Sequence, residues 1–125
     1  MAEAAKLAAG ARGRSAERRA AWLLRLKGYV ILARNFRPAK SHGLGEIDIV
    51  ARRGRMLVFV EVKARGREAD AIMAIGPEQQ ARIARAAAHF LKTRPLYRDF
   101  AQRYDAMVLE AGRFWPRHLA DAWRP

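Results

Sequence analysis

The chain predicts an α/β domain in which two helices pack on a small mixed β-sheet. Three observations predict this class. Residues 47–63 hold two β-rich runs, Ile47-Asp48-Ile49-Val50 and Met56-Leu57-Val58-Phe59-Val60, separated by a stretch containing Gly54, the pattern of a tight hairpin. On either side lie stretches whose apolar residues recur at helical spacing: Ala16, Ala20, Leu23 and Leu24, then Ile83, Ala86, Ala87, Phe90 and Leu91. With 125 residues, 51% of them hydrophobic and 30% charged, the chain is long and apolar enough to bury one core.

Taken in order, residues 1–12 read as a basic tail, frayed or helical, and residues 13–125 as one domain. Ser15 is placed to cap a first helix that runs to about Lys27, where Gly28 closes it. Tyr29 to Ala33 reads as a strand continuing toward Phe36. Pro38 to Gly45 is a loop that carries His42, and the hairpin follows. Arg65 to Gly76 is a polar connection. Pro77 suits the first turn of a second helix reaching about Lys92. The apolar stripe of that helix leaves Arg82, Arg85 and Lys92 on its open side, where a nucleic-acid backbone can reach them. Tyr104 to Leu109 is a fourth strand, and the tail from Phe114-Trp115 to Trp123 is aromatic enough to pack back on the domain.

Composition removes whole classes of chemistry. Without cysteine there are no disulfides, thiolate metal sites or thiol nucleophiles. The hydroxyls Ser15, Ser41 and Thr93 lie in no Gly-x-Ser-x-Gly elbow. No apolar run approaches the about 20 residues that span a bilayer, and the N-terminus lacks the continuous apolar segment of a secretory signal. These features predict a cytoplasmic chain with no membrane partner.

The net charge of +13 is unevenly spread. Residues 1–40 carry ten Lys/Arg against two acids, residues 41–70 six against five, and residues 71–125 nine against five. Basic flanks therefore enclose an acid-rich centre, which suits a polyanion held around a cation site.

The acid-rich centre is the hairpin. Period-2 alternation sends Glu61 and Lys63 to the same face of their strand, and Asp48 lies on the strand before. Two carboxylates meeting on an apolar sheet repel, and burying them uncompensated is costly. A divalent cation together with a lysine relieves both problems. Taken without further context, the same three residues also suit a structural ion-pair network. Glu46 shares the strand face of Asp48. Trp22, Trp115 and Trp123 can serve as core, as lid or as stacking surfaces for bases.

Asp48 followed by Glu61-Val62-Lys63 on adjacent strands resembles the PD-(D/E)xK nuclease pattern, with Ile47 where that pattern has proline. The order helix, three strands, helix, strand resembles the core of the same superfamily. Arg34-Asn35-Phe36-Arg37, Gly45-Glu46-Ile47-Asp48-Ile49-Val50, Phe59-Val60-Glu61-Val62-Lys63-Ala64-Arg65 and Arg103-Tyr104-Asp105 resemble the YraN family of bacterial proteins, over nearly the whole chain after Gly13.

The resemblance implies a restriction-endonuclease-like αβββαβ sandwich and metal-dependent hydrolysis of phosphodiester bonds. Asp48, Glu61 and the Val62 carbonyl would bind Mg²⁺ or Mn²⁺, with Lys63 serving the attacking water. Glu17 matches a first-helix glutamate of resolvase-like members. Gln79 matches a residue that follows Glu-x-Lys and meets the phosphate, and Glu46 would support the metal. The implied partner is nucleic acid, DNA before RNA, branched or flapped, with a homodimer required for symmetric cutting of a junction. The alternative is a non-catalytic DNA- or RNA-binding module on the same fold.

Overall fold

The structure is a computed structural model that describes residues 2–38, 45–64 and 75–125. Helix α1 (Ala2–Leu26) leads into strands β1 (Val30–Phe36), β2 (Ile47–Arg53) and β3 (Met56–Lys63). Helix α2 (Pro77–Thr93), a short 3₁₀ turn (Pro95–Tyr97), β4 (Ala101–Val108) and β5 (Arg117–Trp123) follow. The sheet order is β1-β2-β3-β4-β5. Only β3 and β4 run parallel; the other neighbours are antiparallel. This is the mixed-sheet α/β sandwich expected for a restriction-endonuclease-like fold.

Each helix covers one face of the sheet. On the α2 face, Ile83, Ala86, Ala87 and Phe90 pack against Val50, Leu57, Phe59, Tyr104 and Ala106. On the α1 face, Ala20, Ala21 and Leu24 pack against Ile49, Ala51, Val58, Val60 and Met107. The alternation of β3 is thus satisfied on both sides, Leu57 and Phe59 toward α2 and Val58 and Val60 toward α1.

Two boundaries differ from the sequence expectation. Helix α1 begins at Ala2, so Ser15 lies inside it and caps nothing. The alanine-rich stretch before Ser15 has enough helix propensity to carry the helix through Gly10 and Gly13. Its other end is as expected. Gly28 takes φ +91°, its N–H bonds to the Arg25 carbonyl (3.0 Å), and the Tyr29 N–H bonds to the Leu24 carbonyl (2.9 Å), the pair of bonds of a Schellman stop.

The second difference is β5. The tail does pack back on the domain, but as a paired strand, with Trp123 buried against Tyr104 (ring centroids 4.4 Å apart). Its pairing with β4 shifts register between Tyr104 and Ala106, and Asp121 takes φ +54° in that bulge.

The β2–β3 hairpin closes through Gly54 at φ +60°, with Arg53 opposite Met56. Gly45, just before β2, touches the α2 backbone. Its N–H bonds to the Arg82 carbonyl (3.2 Å), and a Cβ there would lie 3.1 Å from Arg82 Cβ and 3.2 Å from its carbonyl carbon. Only glycine lets the start of β2 sit this close to α2.

Candidate functional site

Pairing of Ile49 with Val60 ends the β2–β3 ladder, and one further step in the same register sets Asp48 opposite Glu61. Both side chains point to the α2 face, as do their strand neighbours Val50 and Phe59. The ladder opens at this step because Val62 donates its N–H to Asp48 Oδ2 (2.7 Å) rather than to a backbone carbonyl. On the other side of β3, Leu109 N–H donates to the Lys63 carbonyl (2.9 Å). Backbone groups of successive strand residues alternate sides, so the Val62 carbonyl faces β2, beside Asp48.

The carboxyls of Asp48 and Glu61 lie close enough for each to act on the other's charge. Burial, then the charge of Asp48 and the hydrogen bond to it, push the Glu61 carboxyl up to about 9, against the opposing pull of Lys63. Burial also raises Asp48, although the Val62 N–H and Glu61 bonds favour its charged form. Glu17 on α1 is raised as well, by burial and then by the charge of Asp48, with Glu46 adding a smaller push. Four acids are therefore in electrostatic contact at one end of the sheet: Asp48, Glu61, Glu17 and Glu46. Lys63 is the cation that acts on both Asp48 and Glu61.

Asn35 ties this group together. With its amide turned to suit its neighbours, its nitrogen donates to Glu17 Oε2 (3.1 Å) and Glu46 Oε1 (3.2 Å). It stands opposite Asp48, between the pairs Arg34 with Ile49 and Phe36 with Ile47, and takes φ +52°. Arg37 holds the other oxygen of Glu46 (3.1 Å). The signal for Asn35 in the sequence is an asparagine inside a β-rich run, a residue that is poor in strands and tolerates left-handed backbone.

The remaining expected residues divide. Gln79 sits in the first turn of α2 and accepts a hydrogen bond from Arg82 Nη2 (2.9 Å), so these two form one polar unit beside the Gly45 contact. Arg85 and Lys92 are exposed on α2 as expected. His42 and the connection from Arg65 lie outside the described residues. His89 packs near the Phe36 ring, 6.4 Å between centroids.

Asp105 and His118 form a separate cluster on the α1 face. The carboxylate of Asp105 is fully buried and takes two bonds from Arg103 (2.7 and 2.8 Å), one from His118 Nε2 (2.7 Å) and one from the Asp121 N–H (2.9 Å). Lys27 Nζ meets His118 Nδ1 (2.9 Å), so Nδ1 accepts and Nε2 carries the proton given to Asp105. Arg103 reaches Tyr29 Oη (2.6 Å). Asp105 and Arg103 lie two residues apart on the same face of β4. The partners of His118 come from the turn after α1 and from β4, far from it in the chain.

The donor set suits a hard divalent cation. Asp48, Glu61 and the Val62 carbonyl offer only oxygen, and Mg²⁺ commonly takes one or two carboxylates and keeps several waters. Among the described residues, no group of three His, Asp or Glu side chains converges as a preformed cage. A protein-bound Mg²⁺ does not require one.

A family model described as uncharacterised protein family UPF0102 matches residues 16–109. The chain belongs to this family. UPF0102 is the YraN family, and the match spans α1 through the end of β4, hence every residue of the carboxylate site. A UPF0102 protein of Parvibaculum lavamentivorans is 54% identical over 120 residues, covering 95% of this chain and 86% of that one. Those of Paramagnetospirillum magneticum (50%, covering 94% and 90%) and Sphingopyxis alaskensis (48%, covering 96% and 98%) are similar over comparable lengths. No helix among the described residues is long and apolar enough to cross a membrane.

Proposed function

We propose that this UPF0102 protein is a divalent-metal-dependent nuclease that hydrolyses nucleic-acid phosphodiester bonds. One observation carries the reading. Asp48 and Glu61 are forced into contact beside Lys63, with Glu61 held far above its ordinary value by burial and by its neighbour's charge. A protein gains nothing in stability from this arrangement, whereas a site for a cation needs it.

Mg²⁺ or Mn²⁺ bound by Asp48, Glu61 and the Val62 carbonyl would polarise a phosphoryl oxygen and make a bound water acidic. The Val62 N–H fixes Asp48, leaving its second oxygen for the cation. Lys63, on the same strand face as Glu61, orients the attacking water and offsets charge that builds on the phosphoryl oxygens. Water adds to phosphorus, the bond to the 3′ oxygen breaks, and that oxygen takes a proton, leaving a 5′-phosphate and a 3′-hydroxyl. Glu17 and Glu46, linked by Asn35, add negative charge that strengthens cation binding. Gln79, Arg82, Arg85 and Lys92 bring donors and positive charge to the phosphate backbone. DNA is the favoured substrate, and paired cuts across a junction would take two copies of the chain.

The test is cleavage of a labelled panel of duplex, single strand, flap and four-way junction in Mg²⁺, Mn²⁺ or EDTA. Wild type is run beside Glu61→Ala and Lys63→Ala. Metal-dependent cutting that both substitutions abolish is the expected result. Folded wild type that binds the panel but cuts none of it would overturn the enzyme reading in favour of a binding module.

A further inference from the structure

The three tryptophans have separate fates. Trp123 is in the core, while Trp22 and Trp115 remain 45% and 42% exposed. The two exposed indoles, with Arg25 and Leu26, line an open groove of about 400 Å³. Phe114 stands beside Trp115 edge to face (4.9 Å between centroids), and the Arg19 guanidinium lies 4.7 Å over the Phe114 ring, which braces the aromatic turn. Neighbouring aromatic side chains left in water form an apolar patch of the kind that meets something else.

We propose that this groove is a stacking platform for unpaired bases of a single-stranded nucleic acid. Three observations choose that occupant. Among the described residues, the lining pairs flat indole faces with an arginine and contains no carboxylate. That combination is what sequence-tolerant binding of single strands uses, aromatic faces for bases and cations for the backbone. The charge is complementary too: α1 presents Arg14, Arg18 and Arg25 as exposed side chains, on a chain of net charge +13. A second copy of the chain docking here by two-fold symmetry would bring Arg25 against its own symmetry mate.

Position supports the same occupant. The turn bearing Phe114 and Trp115 leaves the end of β4, whose register sets Val108 beside Lys63. The groove is therefore rooted at the end of the sheet that holds the acids. Trp22 follows Glu17 by five residues of α1, about 7.5 Å along the helix axis. The carboxylates face α2 and the groove lies on α1, so a strand that reaches both passes around this end of the sheet. The substrate this predicts has an unpaired arm, as in a flap or overhang.

The inference rests on nucleic acid being the partner but not on cleavage, so it is tested without catalysis. Glu61→Gln protein in EDTA is titrated with a fluorescent single-stranded oligonucleotide and with a blunt duplex. The variants are Trp22→Ala, Trp115→Ala and Trp22→Phe. We expect each alanine substitution to weaken single-strand binding about tenfold, Phe at 22 to restore most of it, and duplex binding to stay unchanged. Equal losses on both probes, or no loss on either, would overturn the platform while leaving the nuclease reading in place. A dimer in sedimentation that the alanine variants dissociate would assign the groove to a second copy and likewise overturn it. Failure of the unsubstituted Glu61→Gln protein to bind any nucleic acid at low salt would sink the nucleic-acid reading itself.

Discussion

A fully buried acid and a half-buried group of acids sit on opposite faces of one sheet, and their surroundings are opposites. Asp105 faces α1 and is saturated by Arg103, His118 and the Asp121 N–H. Burial opposes its charge, yet His118, Arg103 and that N–H together hold its carboxyl below the ordinary value. Glu61 faces α2, has another carboxyl for its nearest charged neighbour and is pushed up to about 9. The first set is closed and spends its donors within the fold. The second is short of positive charge. The difference separates a carboxylate that holds the structure from carboxylates whose charge the fold leaves poorly compensated, which is what the proposed cation would supply.

The largest effect that can break this comparison is on stability. Replacing Asp105 by Ala strands Arg103 and His118 and orphans the Asp121 N–H, which should cost about 3–5 kcal/mol in urea unfolding. Glu61→Gln removes one member of a repelling pair and should leave metal-free stability unchanged or raise it. A loss for Glu61→Gln as large as that for Asp105→Ala would make both clusters structural and remove the main support for a cation site.

Next in size is the pH dependence, whose sign differs between the two. A carboxyl lowered on folding stabilises the fold above its unfolded value and loses that contribution as pH falls through its folded value. Asp105 therefore acts on the acid side, below about pH 4. A carboxyl raised on folding does the reverse: Glu61 contributes fully below 4.5 and loses the contribution as pH rises toward about 9. In EDTA, the melting temperature of wild type relative to Glu61→Gln should fall by several degrees between pH 5 and 9. Relative to Asp105→Asn it should fall below pH 4. Parallel curves for wild type and Glu61→Gln across the alkaline range would show that the pair is not strained.

How much of the contrast can be read in the chain follows from the range of the interactions. Asp48, Glu61 and Lys63 were legible because strand alternation and a tight hairpin are local, and together they place all three on one face. The Asp105 cluster was legible only as far as Arg103, two residues away on the same strand face. Its other members come from the α1–β1 connection and β5, with Lys27 and His118 separated by 91 positions. No local pattern announces such a contact. Strand β5 escaped for a related reason: Asp121 sits in a bulge that breaks the alternation, so the segment reads as an aromatic tail. The Ser15 cap failed because a capping residue signals a start only where the preceding stretch cannot continue the helix, and an alanine-rich stretch can.

A smaller effect tests whether the two faces are independent. Gly45→Val would put a Cβ 3.1 Å from Arg82 Cβ and 3.3 Å from the Ile83 nitrogen, so α2 must retreat. The expected cost is about 1–3 kcal/mol, with the Gln79–Arg82 unit drawn away from the start of β2. The nearest atoms to a Cβ at Gly45 all belong to Arg82 and Ile83 of α2, so the imidazole NMR signals of His118 should not move. Shifted His118 signals would show that strain crosses the sheet and that the two clusters are one system.

The smallest expected effect is the most informative about the open cluster. Asn35 donates to Glu17 and Glu46 from a left-handed backbone position, so Asn35→Ala would mix loss of the amide with backbone strain. Asn35→Gly separates them, since glycine adopts that conformation freely. Its stability should change by less than about 1 kcal/mol, because the amide holds two acids that repel once it is gone but remain near solvent. Mn²⁺ affinity, read by calorimetry, should drop about tenfold, the usual consequence of losing a group that orients metal-binding side chains. An unchanged affinity would remove Glu17 and Glu46 from the cation's surroundings and leave Asp48, Glu61 and Val62 as its whole protein shell. The contrast with Asp105 would then narrow to one pair of carboxyls, and Glu17 would become an ordinary helix acid facing an asparagine.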